Sequence, residues 1–179
     1  MVVYVADSIH AVNIEVRNKR SPESAKLKAL KMGNEILQKV SDSAIKIFTP
    51  EKLDKIYYAK WDDLLTPQYQ KKLKFLKDKY SFDLNFRNLI IQFISQFTRG
   101  EARVFSQDDL TKLGTYLVDE LPELLMRVPI KNLPVDAHVY PFDSEFLDMV
   151  EKIQNRTLFP EIADSIIDTP PKVFLEVRD

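Results

Sequence analysis

Residues 106–122 read SQDDLTKLGTYLVDELP. Ser106 followed three residues later by Asp109 is the reciprocal signal that opens a helix. Leu110, Leu113, Leu117, Leu121 and Leu124 then recur at three- and four-residue intervals, a stripe that demands burial. Tyr116 and Glu120 are four residues apart, so they stand one above the other along one edge of that stripe. A phenol and a carboxylate on the margin of a buried face can together hold a cationic amine. An ordinary boundary Tyr–Glu hydrogen bond would use the same spacing. Pro122 offers no N–H to the carbonyl of Val118, so the helix is expected to kink beside this polar pair.

The flanking segments alternate between two periods. Residues 85–99 carry Phe86, Leu89, Ile90, Phe93, Ile94 and Phe97 at helical spacing, with Gly100 where a C-cap belongs. A lysine-rich helix is expected over 67–79. Another is expected over 22–40, with Ser21 as cap, Pro22 in the first turn and Leu27, Leu30, Ile36 and Leu37 as its apolar positions. Residues 2–5 (VVYV) form a continuous apolar run of the kind found in buried parallel strands. Residues 56–61, 135–140 and 172–177 read as further strands, and 143–154 as a helix. Residues 45–48 are equally a helix tail or a short strand. Strands alternating with helices predict an α/β fold with a mainly parallel sheet. No repeat, low-complexity tract or linker interrupts residues 1–179, so one domain is expected.

Composition removes many functions. Of 179 residues, 45% are hydrophobic, with 11 Phe and 7 Tyr, ample material for a core. No apolar run approaches the ~20 residues of a membrane helix. The absence of cysteine excludes disulfides, thiolate catalysis and Cys-ligated metal, and two histidines, His10 and His138, exclude a multi-histidine metal centre. Gly33, Gly100 and Gly114 make no glycine-rich phosphate loop. The net charge is −1 but unevenly spread. Seven basic residues between Arg17 and Lys39 face Glu23 and Glu35, and five lysines between Lys71 and Lys79 face Asp78. Such asymmetry steers a polyanion to one side of a neutral protein, or simply marks solvated helix faces.

Tyr140-Pro141 follows Tyr116 by 24 residues, at the carboxyl end of an expected parallel strand, where ligands of α/β sheets bind. With Tyr116, Glu120, Leu121 and Pro122, this set resembles the cyclodipeptide synthases, whose pattern is Tyr, three residues, Glu, an aliphatic residue and Pro, then a second essential Tyr at this interval. Pro141 is similar to the branch with Tyr-Pro rather than Tyr-Gln there. Residues 3–10 (VYVADSIH), the basic helix from Ser21 and Trp61-Asp62-Asp63 extend the likeness over most of the chain.

The resemblance implies a Rossmann-like three-layer domain with helices on both faces, akin to the catalytic domain of class I aminoacyl-tRNA synthetases. It implies no ATP site and two aminoacyl-tRNAs as substrates; no cofactor or metal is expected. The first aminoacyl group would pass to a serine, be extended to a dipeptidyl enzyme, and leave as a diketopiperazine. Glu120 and Tyr116 would anchor its α-amino group. Tyr140 would relay the final proton, since an ordinary phenol is a weak base. Lys26, Lys28 and Lys31 would bind tRNA phosphates without reading sequence. Val3, Leu121, His138, Val139 and Pro141 would line the amino-acid pocket, His138 equally serving as a core or rim residue. In the family the nucleophilic serine follows the domain's first strand, upstream of the strand equivalent to residues 2–5. None of Ser8, Ser21, Ser24, Ser41 or Ser43 matches its surroundings, so no residue here is assigned as nucleophile. The chain is expected to lack the N-terminal strand and nucleophile segment of a longer protein. The alternative is a degenerate aminoacyl-tRNA-binding module of the same fold. With no targeting segment visible, a cytoplasmic location is the default.

Overall fold

The computed structural model describes residues 2–101, 104–130, 137–140, 145–167 and 173–176, which belong to two compact units, Met1–Leu65 and Thr66–Asp179. In the first unit, β1 (Val2–Val5) pairs parallel with β2 (Tyr57–Lys60), placing Val3 opposite Tyr58. Between them lie α1 (Ala11–Asn18), α2 (Pro22–Ile47) and the single turn α3 (Pro50–Leu53). Polar side chains tie the strand ends together. Buried Asp7, just past β1, accepts the backbone N–H of Trp61 through Oδ1 at 3.0 Å, and the Ser8 hydroxyl donates to Asp62 Oδ1 at 2.6 Å.

Ser21 caps α2 by accepting the N–H of Ser24, as its sequence directs, but the helix runs on to Ile47 and takes in residues 45–47. Its buried face also differs from the expected one. Leu27 is 70% exposed and Ile36 46%, whereas Ala25, Ala29, Gly33 and Ala44 are buried. Close approach explains the exchange. Ala25 and Ala29 pack on Ile14 of α1, and a Cβ on Gly33 would collide with the Cβ of Asp7, so only small residues fit the seam. Helix α1 has no counterpart in the sequence reading. Val12, Ile14 and Val16 alternate as in a strand, and its end is closed by Lys19 at φ 50° rather than by glycine. Burial of Ile14 and Val16 overrides those local preferences.

The second unit packs α4 (Pro67–Phe82), α5 (Leu84–Phe97), α6 (Gln107–Leu125), α7 (Glu145–Gln154) and α8 (Pro160–Ile166) on one another. It also holds β3 (Ala137–Tyr140) parallel to β4 (Val173–Glu176). Every paired strand among the described residues is therefore parallel, and the chain is a mostly helical α/β fold. α5 stops at Phe97 with Thr98 as cap, and Gly100, at φ 97°, turns the chain just beyond. α8 was not foreseen; Phe159 at φ 45° and Pro160 in the first turn start it.

Candidate active site

Helix α6 begins with the reciprocal cap its sequence predicts: the Asp109 N–H donates to Ser106 Oγ at 3.1 Å and the Ser106 N–H to Asp109 Oδ2 at 3.2 Å. Leu113, Leu117, Leu121 and Leu124 are all buried, which fixes the rotation of the helix. Tyr116 and Glu120 then fall at the edge of the core, partly accessible, and the Tyr116 hydroxyl hydrogen-bonds the Glu120 carboxyl. α6 continues past Pro122 to Leu125.

The carboxyl of Glu120 lies deep among protein atoms although part of the residue is accessible. This desolvation, reinforced by the negative charge of Glu123, pushes its pKa up to about 7, against the lowering effect of the Tyr116 hydrogen bond. Glu123 itself is buried, at 1% exposure. The site thus holds a carboxyl poised to ionise near neutrality, an oriented phenol and a second carboxyl one turn on. An ammonium beside Glu120 would favour its charged form and gain a charge-assisted hydrogen bond.

Two residues of α4 brace this arrangement. Tyr69, fully buried, donates its hydroxyl to the carbonyl of Asp119 at 2.6 Å, and the backbone amide of Glu123 meets the same phenolic oxygen. Burial and the carboxylates of Glu123, Asp119 and Glu120 keep this phenol protonated. Lys77 Nζ lies 2.8 Å from Asp119 Oδ1, whose carboxyl burial raises and Lys77 lowers. Neither Tyr69, Lys77 nor Glu123 was singled out from the sequence. A signal existed: Tyr69 and Tyr80 are 11 residues apart, three helical turns, and so share one face of α4.

Of the residues read as catalytic, Tyr116 and Glu120 are brought together, and Tyr140 is placed by its backbone on β3 opposite Glu176. His138 and Val139 precede it on β3, and Pro141 lies outside the described residues. Leu121 belongs to the buried leucine face. Val3 is half-buried on β1. On α2, Lys26 and Lys31 are exposed and Lys28 is half-buried. Lys31 lies a loose 3.9 Å from Glu35.

No protein-family model matches the chain, and no curated protein does. Solved structures do. A CDPS (cyclodipeptide synthase) from Fluoribacter dumoffii superposes with a TM-score of 0.69 at 19% identity, covering 99% of this chain and 74% of that one. AlbC, a cyclodipeptide synthase from Streptomyces noursei, superposes with a TM-score of 0.60 at 14% identity, covering 99% and 80%. At such identities the likeness shows a shared fold, the Rossmann-like α/β architecture of these enzymes. Among the described residues, no helix is long and apolar enough to cross a membrane.

Proposed function

We propose that this chain acts in tRNA-dependent cyclodipeptide synthesis, taking two aminoacyl-tRNAs and forming a diketopiperazine. The observation that carries this reading is the hydrogen-bonded Tyr116–Glu120 pair, with its desolvated carboxyl, set in a fold shared with solved cyclodipeptide synthases. In the first step a serine hydroxyl attacks the aminoacyl ester and releases the tRNA 3′-hydroxyl. The α-amine of that aminoacyl-enzyme then attacks the ester of the second aminoacyl-tRNA, forming the peptide bond on the enzyme and releasing the second tRNA 3′-hydroxyl. Finally the free α-amine attacks the dipeptidyl ester, which closes the ring and returns the serine hydroxyl. The serine is assigned to no residue of this sequence.

Glu120 and Tyr116 hold the first α-amino group as an ammonium, and Glu120 takes up the proton when that amine must become a nucleophile. A carboxyl titrating near 7 suits this exchange at neutral pH. Tyr140 relays the proton in ring closure. Leu121, His138, Val139 and Pro141 are the candidates to bound the amino-acid side chain, and Lys26, Lys28 and Lys31 those to receive tRNA phosphates. Cells producing the natural protein, extracted and analysed by mass spectrometry, are expected to contain cyclic dipeptides that vanish with Tyr116→Phe or Glu120→Ala. Undiminished product from both variants overturns the roles given to these residues. No product, with salt-sensitive binding of aminoacyl-tRNA retained, replaces the synthase reading by that of a binding module.

A further inference from the structure

We infer that Tyr69 is a positioning residue for the Tyr116–Glu120 pair: its phenol, bound to the backbone of α6 at Asp119 and Glu123, fixes the register in which that helix presents Glu120. The inference rests on the synthase reading only for what Glu120 does, not for where Tyr69 stands.

The contact falls beside the rung of α6 that Pro122 leaves empty. Pro122 cannot donate to the carbonyl of Val118, so the next rung, from Glu123 to Asp119, borders a break in the ladder. Beside that break the Tyr69 hydroxyl donates to the Asp119 carbonyl at 2.6 Å and meets the Glu123 amide. Glu120 is the first of the three residues between them, so the turn of α6 that carries it is bound at both ends to one buried side chain. Nor is Tyr69 free to move. Its own N–H is capped by Thr66 Oγ1 at 3.2 Å in the first turn of α4, and two turns on Lys77 pairs with the Asp119 carboxylate.

Three turns along α4, Tyr80 makes the matching contact at the other end, donating its hydroxyl to the carbonyl of Thr111 at 2.9 Å. Gly114 makes room for it, since a Cβ there would collide with the Tyr80 hydroxyl. Two phenols on one face of α4 therefore grip two carbonyls of α6, one beside Glu120 and one more than two turns away. Tyr80 joins the same helices without touching the segment that carries Glu120, and so serves as an internal control.

The groups around Glu120 are Tyr116 and Glu123 on its own helix and Tyr69 of α4, while the carboxylate of neighbouring Asp119, also on α6, is taken by Lys77 of α4. The neighbouring elements direct their polar groups elsewhere: Arg87 of α5 acts on Tyr80, Gln154 of α7 donates to the Leu124 carbonyl, and Glu161 of α8 pairs with Lys79. Removing the Tyr69 hydroxyl takes a buried hydrogen bond from the Asp119 carbonyl and leaves a gap that water can enter, next to a carboxyl that water stabilises in its charged form.

The test compares Tyr69→Phe with Tyr80→Phe in the natural protein. It uses NMR titration of the Glu120 carboxyl, cyclic-dipeptide formation against pH, and thermal melting. Tyr69→Phe is expected to lower the Glu120 midpoint by about one pH unit and product formation at pH 7 by roughly tenfold or more. Tyr80→Phe is expected to lose a comparable melting temperature while leaving the midpoint and the pH profile in place. If Tyr69→Phe leaves the Glu120 midpoint unmoved, or both variants move it alike, Tyr69 is a structural residue and the inference fails. Should Tyr69→Phe not fold, Tyr69→Phe/Pro122→Ala, whose helix regains an amide donor, is measured against Pro122→Ala by the same readouts. A wild-type protein that makes no cyclic dipeptide defeats the synthase reading, while the titration still decides the role of Tyr69.

Discussion

Glu120 carries opposing demands in one side chain. Packing at the edge of the α6 leucine face removes water from its carboxyl, and Glu123 adds a like charge, so the group ionises only around pH 7. In the unfolded chain the carboxyl titrates near its ordinary 4.5. Between those two values the folded protein holds a proton that the unfolded chain has lost, so stability falls as pH rises through this window and levels off above it. The full effect is on the order of 3 kcal/mol. Glu120→Gln removes the titration and should flatten the melting temperature between pH 5 and 8. It should also make the protein more stable than wild type at pH 8, where the native carboxylate is charged and crowded. A wild-type melting temperature that climbs across that range would contradict the geometry of the site. The same balance bears on binding: an ammonium beside Glu120 supplies the counter-charge that its surroundings lack, so substrate capture is expected to expel a proton at pH 6 and little at pH 8.

At the scale of elements, packing distance decides which residues face inward, and distance is what a sequence pattern lacks. On α6 large leucine side chains fill the inner face, so their stripe was legible along with the Ser106–Asp109 cap and the Tyr116–Glu120 edge. On α2 the partner comes so close that alanine and glycine form the inner face, and Leu27 and Ile36, the obvious apolar residues, lie outside it. α1 was missed for a related reason: its alternating Val12, Ile14 and Val16 mimic a strand until packing on α2 imposes the helix. Tyr69 was hidden because its partner is a backbone carbonyl 50 residues away, which no spacing reveals. The tight seam gives its own prediction. A Cβ at position 33 would overlap the Cβ of buried Asp7, a short side chain that also holds the Trp61 amide, so neither partner can yield cheaply. Gly33→Ala should destabilise the protein by about 1–3 kcal/mol despite the better helix propensity of alanine, measured by urea unfolding. Gain in stability would mean that the seam is looser than its geometry indicates.

For the molecule as a whole, the two basic runs that look alike in sequence are unlike in structure. Lysines of the second run are largely engaged by the protein itself. Lys74 pairs with Asp78 at 3.1 Å, Lys77 with Asp119 at 2.8 Å, and Lys72 donates to the Ser165 carbonyl at 2.6 Å. Lys79, only 12% exposed, is held by Asp83 and Glu161 and lies over the Phe159 ring. On α2, by contrast, no ion pair engages Lys26 or Lys28 among the described residues, and the Lys31–Glu35 pair is long and exposed. Exposed pairs of that kind hold a cation weakly, whereas an arriving phosphate releases condensed counterions and is favoured by entropy. The field available to a polyanion therefore comes more from α2 than from α4, although both runs are rich in lysine. Replacing Lys26, Lys28 and Lys31 together by alanine should weaken aminoacyl-tRNA binding and reduce the slope of log K against log salt by about two to three. Replacing Lys77 and Lys79 should change that slope by less than about one, because Asp119 holds the first and Asp83 and Glu161 enclose the second. Equal losses from the two sets would show that the RNA does not distinguish them and would withdraw α2 from the interface.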